Sequence, residues 1–352
     1  MTTTPQRIDM LVSDALSQAL VRPTDQPFPS AAPVLTAEQI KSNLLEWDAK
    51  YTAAKSDATL KAVRADWQVF TSWCERNQAW ALPVESKHLL RFLMDQVVLG
   101  KKRSTIGRYI NTIRLVHRGA QLADPTAYPL WKLEWEGVVK ALARNRANAA
   151  RQAVPMRSSH VSQLLASLGE SLMDLRDAAL ISLASDTLCR EAELARLTLE
   201  DLKPSGNGWS VDLRFSKTDQ EGIGTTRYCS PDTKKRIDAW CAAAGIESGY
   251  LFLPVGRSST FQLPPPDARK PLGAIQVARI FRRRAVRAGV PDGHQFTGHS
   301  ARVGSAIELL EAGFSVTDVQ YAGGWNDPDQ VLHYGKTALA GQNAMAKLRR
   351  TR

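Results

Sequence analysis

The sequence predicts a two-domain chain that is mainly α-helical, with a small antiparallel β-sheet confined to the second domain. Three observations carry this expectation. Apolar residues recur at steps of three and four through most of residues 36–200, with no alternating run among them. A single alternating run then appears, Trp209, Val211, Leu213 and Phe215. It is followed by a hairpin tip, SKTDQEGIG, and a return strand, TTRYC. Between the halves, residues 144–156 read RNRANAARQAVPM, the basic, small-residue composition of an interdomain linker.

Residues 1–33, rich in Thr, Ser, Pro and Ala, read as a flexible N-terminal tail. The first domain, residues 34–143, reads as all helical. Thr36 and Gln39 match a capping box, opening a helix through Leu44, Leu45 and Trp47. Leu60, Val63, Trp67, Phe70 and Cys74 form one stripe of a second helix, and Leu89, Leu90, Phe92 and Leu93 the core of a third over 85–98, ended by Gly100. Lys101, Lys102 and Arg103 precede Ser104, the expected N-cap of a fourth helix with Ile106, Ile110 and Ile113 inward and Arg108, Arg114 and Arg118 off that stripe. This basic face suits a DNA groove, and equally suits the solvated side of a surface helix. A fifth helix is expected over 130–143.

In the second domain, helices are expected over 158–168 and 172–197, then the hairpin, then a helix over 232–244. A Gly-, Ser- and Pro-rich loop covers 254–272, and a very basic helix over 274–288 carries Arg279, Arg282, Arg283, Arg284 and Arg287. There is no internal repeat, no phosphate-cradling glycine motif and no acidic pair spaced for metal ions.

A length of 352 residues is enough for about two cores. The net charge of +11 points to a polyanionic partner, and no apolar run approaches a membrane span. The N-terminus lacks a basic region followed by an apolar one, so secretion is not indicated. Cys74, Cys189, Cys229 and Cys241 form no CxxC pair, which fits buried free thiols better than a zinc site or a disulfide framework.

The most informative stretch is residues 297–336, TGHSARVGSAIELLEAGFSVTDVQYAGGWNDPDQVLHYGK. Ser300 is expected to cap a helix with Val303, Ile307 and Leu310 inward, so His299 and Arg302 share a face one turn apart. Tyr334 follows on a short helix opened by Asp327 and Pro328. Two groups that bind anionic oxygen, with a phenol on a separate helix, suit phosphoryl transfer to tyrosine. Taken alone, each motif is more commonly a solvated face or a packing residue. Upstream, Arg190 and Glu193 share a helix face, and Lys217 stands at the hairpin tip. His117 and His333 read as packing or solvent residues.

Taken together, Arg190 with Glu193, Lys217 on a hairpin, GHSARVG, AGGW and Tyr334 resemble the signature of the tyrosine recombinase (phage integrase) family, in its Cre-like branch. The resemblance is tight over 182–348 and looser over 55–150. It implies a two-domain clamp: a helical core-binding domain (34–143) and an α+β catalytic domain (157–336). A C-terminal helix within 337–352, after a flexible break at Gly335, would dock on a neighbouring subunit. It also implies a site-specific recombinase that cleaves and rejoins DNA through a 3′-phosphotyrosine and a Holliday junction. Neither metal nor ATP is required. Tyr334 would be the nucleophile and His299 the base and phosphate donor. Arg190 and Arg302 would bind nonbridging oxygens and Lys217 would act as general acid. Trp325 would bind phosphate or pack behind the tyrosine, with Glu193 orienting the cations.

The expected DNA-contact residues are Lys101, Lys102, Arg103, Arg108, Arg114, Arg118, Arg144, Arg146, Arg279, Arg282 and Arg283. The implied partners are double-stranded DNA with inverted-repeat sites and further copies of the chain, a dimer on one site and a tetramer on two. The implied location is the cytoplasm of a bacterial host, with no membrane partner. Rival readings are a type IB topoisomerase-like relaxing enzyme and an inactive DNA-binding regulatory protein. The latter predicts a replaced catalytic position, and none is replaced.

Overall fold

The computed structural model describes residues 35–144, 152–213, 224–256, 264–265, 268–341 and 344–350. The N-terminal tail, Arg146 and Lys217 lie outside them. The chain divides into two compact units, Met1–Ala150 and Arg151–Arg352.

The first unit holds five helices among the described residues: α1 (Ala37–Ala54), α2 (Asp57–Arg76), α3 (Ser86–Val98), α4 (Arg103–Gly119) and α5 (Trp131–Arg144). The capping box opens α1 as expected: Thr36 N donates to Gln39 Oε1 at 2.8 Å and Gln39 N to Thr36 Oγ1 at 3.2 Å. α4 begins two residues earlier than its sequence suggests, with Lys102 rather than Ser104 at the cap. The stripes anticipated for α2 and α4 are buried, and edge-on rings knit the core, Phe92 lying 5.1 Å from Phe70 and 5.5 Å from Trp73. Gly119 is required by packing, because a Cβ there would overlap the Trp47 ring.

In the second unit come α6 (Ser158–Ala166), α7 (Leu172–Thr187), α8 (Glu191–Arg196), β1 (Leu202–Ser205), β2 (Gly208–Leu213), β3 (Thr225–Cys229), α9 (Pro231–Ala244) and α10 (Ala274–Arg287). These are followed by α11 (Ser300–Glu311), α12 (Val316–Gly323), α13 (Pro328–Ala340) and α14 (Ala344–Arg350). The strands form one antiparallel sheet in the order β1-β2-β3, with Leu202 opposite Val211 and Val211 opposite Arg227. Val211, Leu213, Trp240, Phe252, Phe281 and Phe296 belong to its main core.

Four expectations need correction. The helix over 172–197 is two helices, because Leu188 adopts a left-handed conformation (φ 50°) and turns the chain. Strand β1, LKPS, was not anticipated; it has no alternation and contains Pro, which an edge position tolerates. The end of the presumed linker belongs to the second unit: Met156 is buried and its N–H donates to the Ser300 carbonyl at 2.8 Å. Gly335 is no break, since α13 runs straight through it and a Cβ there would overlap Leu310. Helix propensity reads Gly335 as weak, but the close approach of α11 is what selects it.

His117 is a packing residue. It is fully buried, its Nε2 accepts from the Val84 N–H at 3.0 Å, and its Nδ1 donates to the Ile113 carbonyl at 2.8 Å. Burial pushes its pKa down from 6.5 to about 4. The unfolded chain therefore takes up a proton near pH 6.5 that the folded chain refuses until about pH 4. The stability this neutral histidine contributes is complete above pH 6.5 and is lost as pH falls to 4, a span worth about 3 kcal/mol. In melts from pH 7 to 4, the margin of the wild type over H117Q should shrink across that window; a constant margin would refute the assignment.

Candidate active site

Arg190 is the N-cap of α8, just after the left-handed Leu188. It does not share a helix face with Glu193; one carboxylate instead holds it at two points. Arg190 N donates to Glu193 Oε2 at 2.8 Å, and Arg190 Nη1 donates to Glu193 Oε1 at 2.6 Å. Glu193 is only 8% exposed, so this charge-assisted pair is a firm support for the guanidinium.

His299, not Ser300, is the N-cap of α11, and it is exposed one turn before Arg302. The Ser300 hydroxyl is turned inward and accepts from Thr297 N at 2.9 Å. Gly298 lies against the Glu191 side chain so closely that no Cβ fits.

Arg302 is 2% exposed. Its Nη1 donates to two carbonyls, those of Leu188 and Gly323, the second at 2.8 Å. Its guanidinium carbon stands 3.8 Å from the centroid of the Trp325 ring. Its Nη2 is buried with no hydrogen-bond partner among the described residues. Burial, and then the nearby Arg190, push its pKa down to about 10, so it stays a cation at neutral pH. A buried cation with one donor unmet is costly unless an anion completes it.

Helix α12 ends at Gly324 (φ 61°), and Trp325 N donates back to the Gln320 carbonyl at 3.1 Å. Trp325 is thereby buried 5.8 Å from the Tyr334 ring. Tyr334 sits on α13, whose N-cap Asp327 accepts from Asp329 N at 2.9 Å. It is half-buried against a small cluster of Leu188, Ala306, Leu310, Val319, Trp325 and Val331.

Arg302, Trp325 and Tyr334 thus form one connected set. The Arg190–Glu193 pair lies near enough to act electrostatically on Arg302, His299 is exposed one turn before Arg302, and Lys217 lies outside the described residues. Burial holds the Cys189 thiol at about 12, so this near neighbour stays neutral. Sequence reasoning passed over Arg227, an inward-facing arginine on β3, buried beside the Gly323–Gly324 turn. The signal was a charged residue at an inward position of TTRYC.

Of the anticipated DNA-contact residues, three have carboxylate partners within the chain. Arg108 grips buried Asp66 at 2.7 and 2.8 Å, Arg114 meets Asp124 at 2.7 Å, and Arg283 reaches Asp177 at 2.9 Å. Lys101, Lys102, Arg103, Arg118, Arg144, Arg279 and Arg282 are exposed.

The pattern of the phage integrase family matches residues 155–339, and the chain belongs to that family. It is 24% identical to "Recombinase cre" of Escherichia phage P1 over 92% of this chain and 96% of the relative. Among solved structures it resembles the XerH site-specific recombinase bound to a palindromic difH substrate. There the TM-score is 0.59 at 12% identity, covering 91% of both chains. A lambda integrase tetramer bound to a Holliday junction aligns with TM-score 0.50 at 16% identity, over 84% of this chain and 76% of that one.

Replacing Glu193 with Gln keeps its shape but removes the charge that holds Arg190. Strand cleavage should slow by about ten-fold with binding little changed. An unchanged single-turnover rate would show that Arg190 needs no such support.

Proposed function

We propose that the chain is a site-specific DNA recombinase that breaks and rejoins strands through a tyrosyl intermediate. The observation that carries this reading is the unmet Nη2 of Arg302, buried beside the Trp325–Tyr334 pair and awaiting an anionic oxygen. In the reaction, the Tyr334 oxygen attacks the scissile phosphorus, the bond to the 5′ oxygen breaks, and a 3′-phosphotyrosine remains. The phenol gives its proton to His299, and the departing 5′ oxygen takes one from Lys217. Arg190 and Arg302 offer planar forks to the nonbridging oxygens, where charge accumulates. The hydroxyl of another strand reverses the step, so bond energy is conserved and neither metal nor ATP is needed.

Family membership supports this reading, as do the names of the relatives: a recombinase, a site-specific recombinase bound to its substrate, and an integrase tetramer on a Holliday junction. The partners are accordingly double-stranded DNA and further copies of this chain. No helix among the described residues is long and apolar enough to cross a membrane, and a cytoplasmic location fits DNA as substrate. Residues 34–143 act as a core-binding domain and 157–336 as the catalytic one. Exposed Lys101, Lys102, Arg103 and Arg118 contribute phosphate contacts.

Tyr334→Phe should abolish the covalent adduct on a nicked trapping substrate while noncovalent affinity stays within about two-fold. A persisting adduct would mean that another residue is the nucleophile.

The α14 helix presents Met345 and Leu348, each at least half exposed, and docks on a neighbouring copy in the assembly. Because α13 continues to Ala340 and Leu339 packs inward, the informative truncation removes only residues 342–352. That protein should bind a single half-site normally but lose cooperative filling of the second. Full recombination of two-site plasmids would rule out the docking role.

A further inference from the structure

Arg227 has no explanation in the folding of the sheet. It lies on β3 opposite Val211, which is itself opposite Leu202, and both are apolar and buried. An apolar residue would complete that row. The arginine there is 6% exposed, and among the described residues it makes no ion pair. Its Nη1 donates to the Thr226 carbonyl at 3.1 Å, and its Nε is buried with no partner among the described residues. The other deeply buried arginines are accounted for. Arg176 and Arg284 close on Asp177 at 2.7 and 2.6 Å, and Arg302 lies in the active site. Burial pulls the Arg227 pKa below its ordinary value, as expected for a cation that folding alone would not keep.

Its contacts show what it is for. The Arg227 Nη2 occupies the space where a Cβ of Gly324 would stand, and Gly324 has φ 61°. Gly323, one residue earlier, packs against the Trp325 ring and gives its carbonyl to Arg302 Nη1 at 2.8 Å. One two-glycine turn therefore meets Trp325, Arg302 and Arg227. The Arg227 guanidinium is in contact with that turn, through which it can act on Arg302 and Trp325.

We propose that Arg227 is a positioning residue that holds the Gly323–Gly324 turn from the sheet side and thereby sets Arg302 and Trp325 for the scissile phosphate. The proposal rests on the reading of Arg302 as a phosphate ligand.

The test uses the full chain and a nicked half-site substrate that traps the adduct, comparing wild type, Arg227→Met, Arg227→Lys and Gly324→Ala. Half-site affinity, single-turnover adduct formation and thermal unfolding are measured for each. Methionine fills the same inward space without an unpaired charge, so R227M should melt at or above the wild-type temperature. It should bind within about two-fold yet form adduct about ten- to a hundred-fold more slowly. R227K, which keeps the charge but not the planar fork, should fall between. G324A should also be slow, and its defect should shrink in an Arg227→Ala background, where the added methyl has room.

R227M cleaving at the rate of an active wild type would overturn the proposal alone. So would a rate loss matched by a fall in melting temperature in both R227M and R227K, which would make the role structural. Weakened binding at an unchanged rate would place Arg227 on the DNA and overturn it too. A wild type that forms no adduct would remove the recombinase reading and the proposal with it.

Discussion

The burial of the Arg302 guanidinium governs the rest of the catalytic unit. A cation taken out of water must be repaid by carbonyls, an aromatic face or an anion, and the chain supplies the first two from two separate segments, Leu188 and the Gly323–Trp325 turn. The Leu188 carbonyl is available only because Leu188 leaves the helical region, which splits α7 from α8 and sets Arg190 at the head of the second helix. The Gly323 carbonyl is available because α12 ends in a left-handed glycine. Trp325 then falls under the guanidinium. A left-handed leucine costs roughly 1 kcal/mol or more, a strain that makes sense only for the carbonyl it delivers.

Charge shows a parallel division of labour. The net +11 points to a polyanion, but it does not say which arginines would face it. Asp177, fully buried, gathers Arg176, Arg283 and Arg284, so part of the basic run on α10 is internal scaffolding. Arg108 is likewise tied to Asp66 across the first unit. Such pairs fix helix packing, and on the sequence they look the same as phosphate contacts.

What was legible in the sequence follows from this. Stripes such as Leu60, Val63, Trp67, Phe70 and Cys74 are set by burial on one helix, so local periodicity finds them. The site motifs were legible because His299, Arg302, Trp325 and Tyr334 lie within one short stretch of chain. The failures are tertiary. The break at Leu188 serves an arginine more than a hundred residues away. Gly335 is small because Leu310 is close, and the backbone of Met156 covers Gly304. Arg227 is inward because its guanidinium meets a turn nearly a hundred residues further on. Apart from Leu310 and Gly335, which share the 297–336 stretch, no local window contains both partners of these contacts.

The same cage ties the tyrosine to the arginines. Leu188 and Trp325, which hold Arg302, also belong to the small cluster on which α13 rests through Val331, Tyr334 and Leu339. Gly335 lets α13 approach α11 closely enough for that contact. A displacement of α13 therefore cannot move Tyr334 alone; it disturbs the packing around the Arg302 guanidinium. α14 begins only three residues after α13 ends, so whatever engages it acts close to this cluster. Tyr334, Trp325 and Arg302 are therefore packed as one unit.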